Sequence, residues 1–190
     1  MKLELEELRN NCVAIDNLVD GTMIKHAYYH FKNFYYWQYG NKSGNPDDNL
    51  FFITNQCKNG YDIMNDPLVQ YLLHRFTDET GLEVTDYEDL YVNGQTLGLD
   101  GSMHIDRIMT REVYDEARFT IMYMVNPYNT DVIGNFVFGE HEVPFTPGRF
   151  VIFDALSSHR GLSPSIGNDM RMTLTWKNCG VKKVVDKDED

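Results

Sequence analysis

Short apolar segments separated by turn residues fill the second half of the chain, and this pattern limits the possible folds more than any other feature. Eight segments have the length of β-strands: 82–86, 89–96, 102–107, 117–125, 134–138, 149–154, 157–162 and 170–177. Turn residues such as Thr146-Pro147-Gly148 separate them. Many short strands in succession are typical of a sandwich or barrel, so we expect a mainly β core.

Two helices are predicted before these strands. The first begins after Asp20, a possible cap, keeps one apolar face as far as Tyr35 and meets a glycine stop at Gly40. The second begins at the cap Asp66 and ends before Gly81. Because no linker or repeat divides the 190 residues, we expect one domain with helices on one side of the β core.

The composition favours a soluble protein in a reducing compartment, and we expect a cytoplasmic location. The cysteines Cys12, Cys57 and Cys179 are far apart and lack the spacing of a zinc site or a disulfide framework. The acidic N-terminus lacks the apolar h-region of a signal peptide, so we expect none, and no apolar run is long enough to span a membrane. The formal charge of −12 repels a phosphate backbone, which argues against nucleic acid as a partner.

Three side chains form a candidate metal site. His104 and Asp106 are two residues apart, so on a β-strand they point to the same face. His159, from a distant strand, would complete a set of two imidazoles and one carboxylate. That set is the facial triad of non-haem Fe(II) oxygenases, which leaves other metal positions open. Taken singly, each residue is more often structural.

Arg171 and Thr173 share a face of the last predicted strand, and an arginine fork beside a hydroxyl suits a carboxylate. Three other arginines compete for this role. Arg160 follows His159 directly and should therefore face away from it, while Arg118 and Arg149 are interpreted as salt-bridged residues at strand ends.

Together these segments resemble the 2-oxoglutarate and Fe(II)-dependent dioxygenases of the prolyl-hydroxylase-like kind. The matching pieces are Gly101-Ser102-Met103-His104-Ile105-Asp106, Thr120-Ile121-Met122-Tyr123-Met124-Val125-Asn126-Pro127, Pro147-Gly148-Arg149-Phe150-Val151-Ile152-Phe153, His159, and Arg171 to Trp176. The resemblance implies a double-stranded β-helix, the jelly-roll or cupin-like architecture. We expect a single domain at 1–185, with helical support at 1–81 and a jelly-roll core at 82–178. The acidic end at 186–190 is expected to be a disordered tail.

The resemblance also implies cofactors and roles. Fe(II), 2-oxoglutarate and dioxygen would be required, with ascorbate as a further candidate. Arg171 and Thr173 would bind the far carboxylate of 2-oxoglutarate, and Tyr91 and Asn93, two apart on an earlier strand, are candidates for its other end. Because iron and cosubstrate perform the oxidation, no general acid or base is assigned.

Two positions depart from the family pattern. Where relatives commonly have a tyrosine two residues before the asparagine of the second motif, this chain has Met124, with Tyr123 on the opposite face. Where many have Gly-Gly-Glu, it has Ile133-Gly134-Asn135. The face of Met124 also carries Thr120, so this hydroxyl could replace the missing one as a contact to the cosubstrate.

The expected reaction is hydroxylation of an unactivated C–H bond. A prolyl residue in a peptide or protein is favoured by resemblance, and a free amino acid or another small molecule stays open, as does the oligomeric state. The segment 107–116 is expected to form a mobile loop that grips the substrate, with the polar stretch 41–49 as a further candidate and a solvated hairpin connection as the alternative. The alternative is a non-catalytic jelly-roll protein that binds a metal or another ligand, which has no evident need for Arg171.

Overall fold

The computed structural model describes residues 2–42, 49–56, 58, 62–106, 117–128, 133–167 and 169–184. The helices in these ranges are α1 (Leu5–Leu8), α2 (Gly21–Phe34) and α3 (Pro67–Thr80), with a 3-10 turn at Ile63–Asn65. The strands are β1 (Cys12–Ile15), β2 (Gln38–Asn41), β3 (Phe51–Thr54), β4 (Leu82–Asp86), β5 (Asp89–Gln95), β6 (Arg118–Met124), β7 (Phe136–Phe138), β8 (His141–Val143), β9 (Phe150–Asp154), β10 (His159–Gly161) and β11 (Arg171–Lys183). None of the helices in these ranges is long and apolar enough to cross a membrane.

Two antiparallel sheets form the body of the protein. The major sheet has the order β1-β9-β6-β11-β5-β3-β2, with β4 paired to the far end of β11. The minor sheet has the order β10-β7-β8. The first 81 residues therefore contribute three strands, β1 to β3, to the major sheet, in addition to the predicted supporting helices.

The major sheet is covered on both faces, which explains why its central strands β6 and β9 are buried along almost their whole length. Along β6, Phe119, Ile121 and Tyr123 belong to the cluster shared with the helices. Met122 and Met124 belong to a second cluster, shared with the minor sheet. Side chains of a strand alternate between faces, so β6 separates the helical layer from the interior of the jelly roll.

The predicted start and end of α3 are confirmed. The carboxylate Oδ1 of Asp66 accepts a hydrogen bond from the backbone N–H of Leu68 at 2.8 Å. Gly81 ends the helix with a φ of 70°, a left-handed conformation that favours glycine.

The predicted end of α2 at Gly40 is wrong. The helix stops at Phe34, Tyr35 is already extended, and Gly40 lies inside β2. Tertiary contacts decide this boundary. The hydroxyl of Tyr35 donates to Asp66 Oδ2 at 2.5 Å, and the indole N–H of Trp37 donates to the carbonyl oxygen of Phe31 at 3.2 Å, near the open end of the helix.

Seven of the eight predicted segments of the second half correspond to regular strands. The exception is 102–107, which is reduced to one isolated bridge between His104 and His159. The strand β8 was not predicted, and β11 runs past the predicted end at residue 177 because its last residues pair with β4.

Candidate active site

A pocket lies between the two sheets, and we call it the central pocket. Its lining combines polar side chains of the major sheet with residues around the minor sheet: Tyr91, Asn93, Gln95, His104, Asp106, Thr120, Met122, Phe136, Phe153, His159, Gly161, Arg171, Thr173 and Thr175. All eight site residues predicted from the sequence are in this set.

The bridge between His104 and His159 places the two imidazoles side by side. Their backbones exchange two hydrogen bonds of 3.0 and 2.9 Å, and their ring centroids are 4.4 Å apart. In each ring Nδ1 lies close to the carbonyl oxygen two residues earlier, Ser102 at 2.9 Å and Ser157 at 3.0 Å. A neutral histidine that donates from Nδ1 keeps its Nε2 lone pair free for a metal.

Asp106 completes the group. Its Oδ1 lies 3.8 Å from His104 Nε2, and its Oδ2 lies 3.5 Å from His159 Nε2. One ligand atom from each residue falls within 4.8 Å of the others, and no other cluster of this kind occurs among the described residues. Two imidazole nitrogens and a carboxylate oxygen are a donor set that suits Fe(II).

The electrostatics of the pocket favour metal binding by His159. Burial lowers the pKa of this histidine, against the opposing effect of the Asp106 charge. A lowered pKa keeps the imidazole neutral at neutral pH, which is the form that binds a metal.

The structure revises the interpretation of Thr120. Its hydroxyl donates to Asp106 Oδ2 at 2.7 Å, so it orients the carboxylate instead of standing free for a cosubstrate. Lys177 was not predicted. Its Nζ lies 3.7 Å from Asp106 Oδ1, so the carboxylate has a hydroxyl on one oxygen and an ammonium near the other.

Arg171 lies at the other end of the pocket and is only 2% exposed. Its Nε donates to the carbonyl oxygen of Gly134 at 3.0 Å, and its Nη1 donates to Gln95 Oε1 at 2.9 Å. Nη2 is buried and has no hydrogen-bond partner among the described residues. Burial lowers the pKa of Arg171 to about 10, so the guanidinium is still charged at neutral pH. A buried charge with a free donor points to an anion.

The remaining predicted residues occupy the wall between the candidate metal ligands and Arg171. Thr173 pairs with Asn93 across β11 and β5, and Thr175 pairs with Tyr91. Asn93 Oδ1 is buried without a hydrogen-bond partner among the described residues. Burial, followed by the nearby negative charge of Asp106, raises the pKa of Tyr91, which therefore remains a neutral phenol.

Two of the three competing arginines have other partners, and the third, Arg160, does not line the central pocket. Arg149 makes two hydrogen bonds to the carboxylate of Asp16, at 2.8 and 2.6 Å. Arg118 pairs with Asp86 and also donates to the carbonyl oxygen of Asn178. Neither arginine lines the central pocket.

The departures from the family pattern have a structural explanation. Met124 is fully buried in the cluster between the sheets, and its sulfur accepts a hydrogen bond from Thr146 N at 3.3 Å. Tyr123 points to the helical side and packs against Phe150 with ring centroids 4.8 Å apart. The backbone carbonyl of Gly134 accepts a hydrogen bond from Arg171 Nε. A contact through the backbone leaves no side-chain pattern in the sequence.

Gln95 and Gly161 were also not predicted. Gln95 continues the alternation of Tyr91 and Asn93 on the same face of β5, so the period of two would have found it. Gly161 has no side chain, and only the three-dimensional packing reveals its place. The predicted substrate loop 107–116 lies outside the described residues, as do Cys57 and most of 41–49.

Solved structures of known proteins share this fold. A prolyl hydroxylase from Trichoplax adhaerens, in complex with a hypoxia inducible factor peptide, has a TM-score of 0.59 and 18% identity over 91% of this chain and 86% of its own. A Pseudomonas putida prolyl-4-hydroxylase has a TM-score of 0.59 and 13% identity over 92% of this chain and 96% of its own. The α-ketoglutarate-dependent epimerase SnoN from nogalamycin biosynthesis has a TM-score of 0.59 and 13% identity over 93% of this chain and 79% of its own.

At identities this low the likeness establishes the fold, and it confirms the predicted double-stranded β-helix with flanking helices. Two of these structures are described as prolyl hydroxylases and the third as an α-ketoglutarate-dependent epimerase, in agreement with the resemblance found in the sequence. No protein-family model matches the sequence. A search among curated proteins found no match either.

Proposed function

We propose that this protein is an Fe(II)- and 2-oxoglutarate-dependent dioxygenase that hydroxylates an unactivated C–H bond. One observation carries the proposal. The central pocket holds two histidines and an aspartate with converging ligand atoms at one end and, at the other, a buried arginine whose Nη2 lacks a partner among the described residues. A metal that must also hold a dicarboxylic cosubstrate needs both features in one pocket.

In this proposal His104, Asp106 and His159 hold Fe(II). The carbonyl groups of Ser102 and Ser157 hold the two rings through Nδ1, which would leave each Nε2 available to bind the metal. The hydroxyl of Thr120 holds the carboxylate of Asp106 in the matching orientation. When bound, Fe(II) with 2-oxoglutarate and dioxygen supplies the oxidation, which yields succinate, carbon dioxide and the hydroxylated substrate.

The cosubstrate is bound by the major sheet. Arg171 and Thr173 take its far carboxylate, because the guanidinium is charged, buried and has a donor without a partner in the part of the chain that the structure describes. Asn93 and Tyr91 face the space toward the metal ligands and are proposed for the other end. The apolar rings of Phe136 and Phe153 limit the access of water to this space.

A prolyl residue in a peptide or protein is the proposed substrate. The sequence resemblance supports it, and two of the solved structures with this fold are described as prolyl hydroxylases, one of them in complex with a peptide. SnoN is described as an epimerase, so the fold by itself does not select hydroxylation.

The free thiols of Cys12 and Cys179 support a reducing compartment, and we propose the cytoplasm. A single domain at 1–185 is likewise a proposal.

The alternative is a jelly-roll protein that binds a metal or another ligand without turnover. The direct test is to incubate the protein with Fe(II), 2-oxoglutarate and oxygen, with and without proline-containing peptides, and to measure succinate. We expect succinate to form with the wild-type protein and not with Asp106→Ala. The control is Asp78→Ala, which removes an aspartate from the exposed side of α3 and should not change the rate.

Two results would contradict the proposal. One is the absence of iron-dependent succinate formation by the wild-type protein, and the other is the same rate in Asp106→Ala. Iron binding without any consumption of 2-oxoglutarate would favour the non-catalytic alternative.

A further inference from the structure

Gln95 connects the pocket arginine to the strand that carries His159. Its side chain is buried, with 2% exposure for the residue. The amide oxygen accepts a hydrogen bond from Arg171 Nη1 at 2.9 Å. The amide nitrogen donates to the carbonyl oxygens of Leu99 and Gly161, both at 3.0 Å. One side chain thus joins β5, β10 and β11 at the end of the pocket that binds the proposed cosubstrate.

These contacts permit only one orientation of the amide. A flipped amide of Gln95 would point its NH2 group at the guanidinium of Arg171, which has donors only. It would also place the amide oxygen against two carbonyl oxygens. The amide therefore acts as a fixed acceptor for Arg171, and it occupies Nη1 while Gly134 occupies Nε. Nη2 is the donor that is left without a partner among the described residues.

Close packing of β10 reinforces this arrangement. A Cβ atom on Gly161 would lie 2.7 Å from Gln95 Oε1 and 2.9 Å from Arg171 Nη1. Any other residue at this position would push the pair apart, because real contacts of Cβ atoms are longer than this. The backbone of β10 at Gly161 therefore packs directly against the amide of Gln95 and the guanidinium of Arg171.

The partners of Arg171 are also neutral. Gln95 offers an amide oxygen and Gly134 a backbone carbonyl, and neither cancels the positive charge. The ring of Phe145 lies 5.3 Å from the guanidinium carbon and adds a weak attraction without a formal charge. A glutamate in place of Gln95 would have nearly the same shape but would form a buried ion pair with the arginine.

We propose that Gln95 is a positioning residue that aims Arg171 and, because it is neutral, reserves the charge for the far carboxylate of a five-carbon 2-oxo dicarboxylic acid. This inference rests on the proposed function and deepens it. Gln95 thereby sets the preference of the site for 2-oxo acids with a second carboxylate over those without one.

The test compares two ligands in Fe(II)-loaded protein without oxygen. The first is 2-oxoglutarate, and the second is 2-oxopentanoate, which has the same chain length but lacks the far carboxylate. Gln95→Glu should weaken 2-oxoglutarate binding by roughly thirtyfold or more, because the new carboxylate competes for Arg171. The same variant should change 2-oxopentanoate binding by less than about threefold, since that ligand makes no charge pair with the guanidinium.

Two further variants separate positioning from a general loss of structure. Gln95→Met keeps the length and neutrality but offers Arg171 only a weak thioether acceptor, and it should weaken 2-oxoglutarate binding by about threefold to tenfold. Gln70→Glu makes the same charge change on α3, where the native amide donates to the carbonyl oxygen of Met64, and it should leave both ligands unaffected. If Gln95→Glu fails to fold, Gln95→Met decides the question.

The possible failures are distinguishable. If the wild-type protein binds iron but not 2-oxoglutarate, the proposed function fails and the role of Gln95 fails with it. If the wild-type protein binds 2-oxoglutarate and the Gln95 variants bind it equally well, only this inference is overturned. An equal loss of affinity for both 2-oxo acids would overturn it too, because a merely structural residue would have that effect.

Discussion

The imidazole of His159 lies beside that of His104, with ring centroids 4.4 Å apart, because their backbones form a hydrogen-bonded bridge. In such a pair the side chains leave the same face, and a shift of one residue would turn one ring away from Asp106. The geometry of the candidate metal site is therefore set by strand register.

Arg171→Ala should raise the apparent dissociation constant of 2-oxoglutarate by roughly thirtyfold or more, because loss of a desolvated charge pair costs about 2–5 kcal/mol. Iron affinity should change little, since Arg171 does not contact the three candidate ligands. Titration of the Fe(II)-loaded protein with 2-oxoglutarate measures the change. Arg149→Ala is the matched control, since Arg149 pairs with Asp16 outside the pocket. An unchanged constant in Arg171→Ala would transfer the role to another basic residue.

Thr120→Val should weaken Fe(II) binding by about tenfold or more, because it removes the hydroxyl that orients Asp106 and preserves the shape of the side chain. Isothermal titration under anaerobic conditions measures the affinity. Thr54→Val is the control, because the Thr54 hydroxyl is buried without a partner among the described residues. Equal iron affinity in wild type and Thr120→Val would show that Asp106 needs no such support.

Lys177→Met should strengthen Fe(II) binding by roughly tenfold, because the ammonium 3.7 Å from Asp106 Oδ1 competes with a cation for the same carboxylate. The side chain is 28% exposed, so water screens part of this interaction. Lys182→Met, which removes a surface lysine paired with Glu83, is the control. Weaker iron binding in Lys177→Met would instead mean that the lysine holds Asp106 in place.

Asp66→Ala should lower the free energy of unfolding by about 2 kcal/mol, because it removes a helix cap and leaves buried donors unpaired. The carboxylate accepts from Leu68 N, from the Tyr35 hydroxyl and from His30 Nε2. Urea denaturation measures the loss. Asp62→Ala is the control, since that exposed carboxylate caps only the short 3-10 turn. A loss no larger than that of the control would contradict this account of the cap.

The same aspartate gives the protein a predictable dependence on acid. Burial of Asp66 disfavours its charge, but the hydrogen bonds from His30, Tyr35 and Leu68 outweigh that effect and lower its pKa. The stabilisation is therefore complete above the pKa of an unfolded aspartate, about 3.9, and is lost as the pH falls below it. The difference in stability between wild type and Asp66→Ala should shrink below about pH 4. A constant difference down to pH 2 would contradict the assignment.

Features that depend on local periodicity could be predicted. The spacing of His104 and Asp106 was sufficient to predict that their side chains share a face. This holds even though the expected strand is reduced to a single bridge, because only a short extended backbone is needed. The cap at Asp66 and the stop at Gly81 were predictable for the same reason, since their chemistry is local.

Features that depend on distant contacts could not be predicted. The early end of α2 depends on Tyr35 reaching Asp66 and on Trp37 reaching the end of the helix. The partner of Thr120 is Asp106, which lies 14 residues earlier and outside any strand, so the face of Thr120 was predictable and its hydrogen bond was not. Gly134 acts through a backbone carbonyl, which no side-chain pattern indicates.

The most direct test of the central claim is an anaerobic titration of the Fe(II)-loaded protein with 2-oxoglutarate, followed by visible absorption. If one pocket holds the metal and the cosubstrate together, a weak charge-transfer band should appear with the wild-type protein. It should be absent in His159→Ala and unchanged in His141→Ala, in which an exposed histidine of β8 is removed. No band with the wild-type protein, or an equal band in His159→Ala, would contradict the account.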